Sequence, residues 1–302
     1  MDILSCEAFL DIICDVRLRL KPLHRLFVRE TGRVNLHGPL DAGIVKNIEA
    51  AVDRHGVLVF RNQKLTEDQL VAFGRQFGPL GLGVKKAVKF RSRLKHEETS
   101  DISNIDETGR IADTKIIAQL PNRLWHTDGQ SQMPPSRYSM LHAVVVPAGK
   151  SGETEFADLR AAYDALPAEI KREIARLRAE HDALRARIYL GETEWAEARR
   201  KAIPPVQWPL VRTHPGSGRK FVFVAVHAAQ VVGMHPGLGR VLLDELLEHV
   251  TQREFVYPHR WKAGDLVMWD NRCIIHRGRR YDLKQRRELL RVNTEETDIP
   301  AT

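Results

Sequence analysis

Two periods of hydrophobicity alternate along the chain, and the points where one replaces the other outline its elements. Behind Asp41, a residue suited to capping a helix, Ile44, Val45, Ile48, Ala51 and Val52 recur at helical spacing until Gly56 stops the run. Val57-Leu58-Val59-Phe60 then has no polar break and predicts a buried strand. Thr66 with Gln69 three residues later is a capping-box pattern, predicting a helix through Leu70 and Phe73 that ends before Gly78-Pro79. Upstream, residues 25–34 read as extended and residues 1–22 as a helical extension. Downstream, the apolar run 138–146 ends at Pro147 and predicts a core strand. Across residues 158–188 the period becomes helical, with Ile170, Ile174, Leu177, Leu184 and Ile188 on one face and Glu and Arg opposite. Residues 221–226 predict another strand and residues 241–250 another amphipathic helix. Gly264-Asp265 turns into a strand from Leu266 to Trp269, and residues 287–293 read as the closing strand.

Strands recur through the second half with helices inserted between them. This predicts a mainly β fold with helical cover, a β-sandwich or jelly roll, rather than a regular parallel wind. At 302 residues and 43% hydrophobic the chain can bury a sizeable core, and no linker divides it. One domain over residues 23–302 is expected, with 1–22 as its N-terminal extension. Its three cysteines are too few and too scattered for a disulfide framework or a cysteine zinc site, which points to a reducing cytoplasm. No apolar run reaches the roughly 18 residues of a membrane span. The net charge of +8 points to an anionic partner. Nucleic acid is a poor candidate, because the basic residues are dispersed among acids without a binding motif or aromatic platform. A homo-oligomer is left open.

Candidate chemistry starts at Trp125-His126-Thr127-Asp128. In an extended segment His126 and Asp128 point the same way, and a distant His276 would complete one face of an octahedron, the arrangement that non-haem iron oxygenases use. With 13 histidines and 39 acids in 302 residues, chance supplies about two His-x-acid pairs. Two are present, the other being His96-Glu97-Glu98, which reads as solvated. A surface turn at Asp128-Gly129 is therefore the competing reading of the tripeptide alone. His142 and His227 lie in apolar runs and read as core or strand-end histidines. His214, His235 and His259, each beside a proline, read as loop residues, Cys273 as a small buried residue, and Trp125 and Trp269 as packing walls.

The partners of the tripeptide are more specific. Trp125-His126-Thr127-Asp128, then Ser151-Gly152-Glu153-Thr154-Glu155-Phe156-Ala157-Asp158, then Trp269-Asp270-Asn271-Arg272 with His276 and Arg287, resemble the taurine/2,4-dichlorophenoxyacetate dioxygenase family over about residues 23–294. The 2,4-dichlorophenoxyacetate branch is matched through stretches such as Arg137-Tyr138-Ser139-Met140-Leu141 and His276-Arg277-Gly278-Arg279-Arg280-Tyr281-Asp282. The resemblance implies a double-stranded β-helix core, Fe(II) held by His126, Asp128 and His276, and 2-oxoglutarate held by Arg287 with help from Thr154. It also implies that Arg291 meets the anionic group of the primary substrate, with Lys86 and Asn122 on the substrate side, although the pair Lys85-Lys86 leaves the alignment ambiguous by one.

The reaction so implied uses Fe(II), O2 and 2-oxoglutarate to hydroxylate a small anionic substrate of aryloxyacetate type. The hydroxylated carbon bears the ether oxygen, so the product collapses to a phenol and glyoxylate, beside succinate and CO2. The alternatives are an alkyl sulfonate such as taurine, another carboxylate, or a metal-binding jelly-roll ligand sensor without oxygenase activity. A bare metal site would not require Thr154 and Arg287.

Overall fold

The structure, a computed structural model, describes residues 18–82, 92–149, 151–192, 201 and 203–297. Its frame is a seven-stranded sheet in the order Lys21–Pro22, Arg29–Thr31, Val57–Phe60, Leu266–Asp270, Ser136–Val145, Glu288–Glu295 and Ser100–Asp101. All neighbours are antiparallel except Arg29–Thr31 with Val57–Phe60. Each of the central strands carries apolar residues at nearly every position because both sheet faces are covered. Period-two geometry sends Leu58, Phe60, Tyr138, Met140, Leu266 and Met268 to one face, where they pack with Ile48, Val52, Leu70 and Phe73 of the helices Ala42–His55 and Glu67–Arg75. Val57, Val59, Leu141, Val267 and Trp269 point the other way. There they meet Phe156, Ala157, Ile274 and Ile275 of a three-stranded sheet ordered Val256–His259, Thr154–Asp158 and Ile274–Gly278. The fold is thus mainly sheet with few helices.

The helical start signals hold as expected. Asp41 accepts from the Gly43 amide, and Thr66 with Gln69 closes a reciprocal capping box, each cap contributing about 1 kcal/mol. The helix expected at 241–250 begins a turn earlier, as Pro236–Val250, because His235 caps it and Pro236 occupies the first turn.

Residues 158–188 do not form one helix. They divide into helices Leu159–Ala165 and Ala168–Ile174, a strand Arg178–His181, and a short helix Arg185–Tyr189. Leu166, preceding Pro167, is forced to extended dihedrals and ends the first helix. In Arg178–His181 the buried positions Ala179 and His181 alternate with less buried ones, a period of two inside the longer helical pattern. Similarly, only Lys220–Val222 of residues 221–226 pairs as a strand. Phe223 and Val226 instead donate their amides to the carbonyls of Leu210 and Trp125.

Where residues 81–123 are described, they include the short strand Ser100–Asp101, the helix Asp113–Ala118 and the 3-10 turn Leu120–Arg123. Leu18 is fully buried and Lys21–Pro22 pairs with Arg29 and Glu30, so the last residues before 23 already dock on the sheet. Among the described residues no helix is long and apolar enough to cross a membrane.

Candidate metal and carboxylate site

Between the two sheets, the 3-10 turn Leu120–Arg123 delivers an extended segment, Trp125 to Asp128, which lies outside any regular ladder. One isolated antiparallel bridge fixes it: the His126 amide donates to the His276 carbonyl at 3.0 Å and the His276 amide returns to His126 at 2.8 Å. This reciprocal pair sets the two imidazoles side by side, with ring centroids 4.2 Å apart. Trp269 and Phe156 flank the His276 ring at 4.7 and 6.0 Å. The Nδ1–H of His126 donates to the Leu124 carbonyl at 2.7 Å, which leaves a lone pair on Nε2. That Nε2 is buried and has no hydrogen-bond partner among the described residues.

Asp128 lies beside both rings, with Oδ1 3.9 Å from His126 Nε2 and Oδ2 3.7 Å from His276 Nε2. Its orientation is over-determined. Ser139 Oγ donates to Oδ2 at 2.7 Å, Arg291 Nη1 donates to Oδ1 at 2.5 Å, and the Asp128 amide donates to Asn271 Oδ1 at 3.1 Å. Asn271 in turn donates to Ser139 Oγ and receives the Trp269 indole N–H. Burial alone would raise the Asp128 carboxyl, but Arg291, His276 and His126 outweigh it and hold the group at about 2. Burial lowers both histidines, His276 further than His126, so both imidazoles are neutral near pH 7. Two neutral imidazoles and one ionised carboxylate, with donor atoms within 4.8 Å of one another, form a set that fits a divalent transition metal such as Fe(II). The orphaned His126 Nε2 is the observation that carries this fit, because a buried nitrogen without a partner is otherwise costly.

The same residues open onto a cavity of about 770 Å³, its mouth included, which His126, His276, Thr154, Arg287, Arg291 and Asn122 all border. The structure therefore brings every described candidate together, while Lys86 lies outside the described residues. Arg287 immediately precedes the strand Glu288–Glu295 and shares the cavity with Arg291. Burial pulls the Arg287 guanidinium down to about 10, and among the described residues it has Tyr281 and Arg123 for electrostatic neighbours rather than a carboxylate. Thr154 Oγ1 accepts the Trp261 indole N–H at 3.0 Å, which fixes its rotamer at the cavity wall.

His214 lies in a loop as expected, whereas His259 ends the strand Val256–His259; both are fully buried, with His214 Nε2 3.0 Å from Asp270 Oδ2 and His259 Nε2 3.2 Å from Asp265 Oδ2. Their neighbouring prolines mark strand ends, and sequence alone does not reveal the buried acids they meet. His214, Asp270 and Cys273 form a second cluster of potential ligands, yet both Asp270 oxygens already accept from Arg272 and burial keeps the Cys273 thiol protonated. His142 and His227 are core histidines as expected. Trp269 does border the metal-facing cavity, whereas Trp125 stacks under Arg277 at 4.5 Å.

Ser139, Asn271, Arg123 and Tyr281 carry no signal of a role in the sequence, although each stands inside or beside one of the motif stretches. Ser139 and Asn271 lie 11 and 143 positions from Asp128, and only the fold closes that distance.

Comparison with known proteins follows the same lines. The family model described as taurine catabolism dioxygenase TauD, TfdA family, matches residues 19–293. The chain is 54% identical over 276 residues to the alpha-ketoglutarate-dependent 2,4-dichlorophenoxyacetate dioxygenase of Cupriavidus pinatubonensis, covering 90% of this chain and 96% of that one. It is 32% identical to the (S)-phenoxypropionate/alpha-ketoglutarate-dioxygenase of Sphingobium herbicidovorans, covering 89% of this chain and 91% of that one. Among solved structures, AAD-2 in complex with Mn(II) and N-oxalylglycine superposes with a TM-score of 0.86 at 40% identity, covering 92% of this chain and 98% of that one. A match across nearly the whole chain, together with a cavity bordered by His126, His276, Thr154, Arg287 and Arg291, makes this protein a member of the TauD/TfdA dioxygenase family.

Proposed function

We propose that this protein is an Fe(II)- and 2-oxoglutarate-dependent dioxygenase that hydroxylates a small aryloxyacetate in the cytoplasm. The observation that carries the reading is one cavity that joins the cluster of two neutral histidines and one ionised carboxylate to Thr154 and a buried Arg287. His126, Asp128 and His276 hold the metal. Arg287 and Thr154 hold the distal carboxylate of 2-oxoglutarate, because a planar guanidinium meets a carboxylate bidentately and remains charged when buried. When bound, Fe(II) supplies the oxidising chemistry by which O2 and 2-oxoglutarate are converted to succinate and CO2 as one oxygen enters a substrate C–H bond.

The remaining wall suits an aromatic acid. Ile102, Ile116, Leu120, Leu141, Leu283 and Trp269 line an apolar side able to cover a ring and exclude water. Arg291, whose Nε is buried without a hydrogen-bond partner among the described residues, faces the substrate carboxylate, and Asn122 borders the same cavity; a substrate contact by Lys86, outside the described residues, rests on the resemblance alone. Hydroxylation at the carbon bearing the ether oxygen gives a hemiacetal, which releases the phenol and glyoxylate. The aryloxyacid relatives support this substrate class over a sulfonate. We further propose that the two facing sheets form a double-stranded β-helix. Residues 23–302 then act as a single domain, with 1–22 as its extension.

Anaerobic loading with Fe(II), then O2 and 2-oxoglutarate with aryloxyacids, simple carboxylates and alkyl sulfonates, tests the reading. Succinate release stimulated by aryloxyacids, with phenol and glyoxylate in equal amounts, is expected. Stimulation by sulfonates alone would transfer the assignment to the other branch, and stimulation by none would remove it.

A further inference from the structure

A second cavity, of about 680 Å³ with its mouth included, adjoins the metal-facing one and shares Arg123 with it. Leu124 and Trp125 line the second cavity, while His126, the next residue, borders the first. The other walls come from the short helix Arg185–Tyr189, the helix Pro236–Val250 and Arg277 of the strand Ile274–Gly278.

Four arginines face one acid here, Asp244, and that acid is already engaged: Arg240 donates to it through Nη2 at 2.6 Å and Nε at 3.0 Å. Arg277 donates to Glu155 at 2.7 Å, but Glu155 also serves Arg279 at 3.6 Å. Among the described residues the remaining two have no carboxylate at all. Arg123 has a buried Nη1 without a hydrogen bond, and the half-buried Arg185 makes no ion pair. The surplus positive charge adjoins an apolar and aromatic wall of Leu124, Trp125, Tyr189 and Leu247, in which the Trp125 ring is held by Arg277 stacked at 4.5 Å. An unpaired guanidinium out of water is unfavourable, and a carboxylate relieves it with charge-assisted bonds. A small inorganic anion would leave the apolar wall wet, and a neutral aromatic would leave the arginines unpaired. One ligand class meets both needs, a flat apolar body carrying a carboxylate.

We propose that this second cavity is a non-catalytic binding site for an aromatic carboxylate, anchored chiefly by Arg185, whose occupancy is felt at the metal site through Leu124. Leu124 lines the cavity, and its carbonyl accepts the His126 Nδ1–H at 2.7 Å, the bond that aims His126 Nε2 at the metal position. A ligand packed against Leu124 therefore shifts the orientation of a metal ligand, and by linkage metal binding shifts the affinity for the acid by the same factor. The site itself needs neither metal nor 2-oxoglutarate, so its occupancy is independent of the reaction proposed above.

The test labels the wild-type, metal-free protein with phenylglyoxal and reads Arg185 by peptide mass spectrometry, with phenoxyacetate as the probe. Phenoxyacetate should slow the labelling of Arg185 severalfold. Phenoxyacetamide, acetate and 2-oxoglutarate should not, because each lacks either the charge or the ring. Equal protection by acetate would reduce the cavity to a basic surface, and protection by none of them overturns the proposal. Calorimetric titration of phenoxyacetate into protein loaded with Mn(II) and N-oxalylglycine gives a second reading. Wild type should bind two molecules, and Arg185→Gln should raise the Kd of one of them by about 10- to 100-fold, the range for losing one charge-assisted contact. Tyr189→Ala, which removes a largely exposed ring, should weaken the same molecule. A single site in wild type overturns the proposal. The change in Mn(II) affinity caused by phenoxyacetate should shrink in Arg185→Gln, and an identical change removes the coupling through Leu124. Protection of Arg185 in an enzyme inert toward every aryloxyacid would remove the functional reading and keep this site, whereas an active enzyme with Arg185 unprotected removes this site alone.

Discussion

Arg291 and Asp128, 163 positions apart, meet at 2.5 Å with the carboxylate 6% and the guanidinium 18% exposed. The strand Glu288–Glu295 carries the arginine to the same carboxylate that faces both histidines. Arg291 thereby belongs to the metal site as well as to the substrate side. Arg291→Gln should weaken Mn(II) binding by roughly tenfold, as loss of a hydrogen bond to a ligand does, and raise the substrate KM. Calorimetric titration of Mn(II) separates the two effects, and an unaltered metal affinity would count against this coupling.

Ser139 offers a cleaner probe of ligand orientation, because it lines no substrate contact proposed above. Its hydroxyl donates to Asp128 Oδ2 and accepts from Asn271 Nδ2 at 2.8 Å. Ser139→Ala leaves the Asn271 amide without this acceptor and frees one carboxylate oxygen. Metal affinity should fall by about 10- to 100-fold, with the KM for 2-oxoglutarate little changed once metal is saturating. A Mn(II) titration indistinguishable from wild type would show that Arg291 and Asn271 suffice to orient Asp128.

The sequence exposed those parts of the fold where local chemistry decides. Asp41 and Thr66 cap the helices they were expected to cap, and Leu266 to Trp269 forms a strand, because these signals act over a few residues. The stretch 158–188 misled because a helical spacing of apolar residues continued through Pro167, whose effect on Leu166 outweighs periodicity. His126, Asp128, His276, Thr154, Arg287 and Arg291 were readable as an ordered set, and the structure gathers them on one site. The residues that orient the set were not readable. Ser139 is an ordinary polar residue in an apolar strand and Asn271 opens the turn after another, and their meaning depends on the register that pairs Trp269 with Ser139. The unpaired state of Arg123 is equally invisible in one dimension.

Gly129 tests how tightly the metal-binding segment must turn. Its φ is +65°, and a Cβ added there would lie 2.9 Å from Ser136 Cβ and 3.2 Å from the Ser136 amide nitrogen. Neither the backbone nor its neighbour can yield without moving Asp128, one residue earlier. Gly129→Ala should destabilise the fold by about 1–3 kcal/mol and weaken Mn(II) binding. Denaturant unfolding measures the first, and a variant as stable as wild type would place the clash in a region able to relax.

The buried pair His181 and His227 should give the metal-free protein a pH dependence of stability in a definite window. Their Nδ1 atoms lie 2.7 Å apart, and His227 Nε2 contacts Thr127 Oγ1 at 2.8 Å. Burial lowers His227 to about 3, and burial, with His227 and Arg212 beside it, takes His181 well below its ordinary value. Both are neutral in the fold, whereas in the unfolded chain each protonates near pH 6.5. A folded value below the unfolded one gives stability that is complete above about pH 6.5 and is lost as pH falls toward the folded value. Each group should contribute a slope of about 1.4 kcal/mol per pH unit. The buried carboxylates Asp158 and Asp270, also lowered, add the same sign only below about pH 4, so the interval between pH 6.5 and 4.5 reports mainly on histidines. Replacing His181 with leucine beside Phe223, whose ring lies 4.7 Å away, removes one titrating group and keeps an apolar neighbour. Thermal unfolding of His181→Leu across that interval should show a shallower decline than wild type. Parallel declines would mean that the pair does not resist protonation in the folded state.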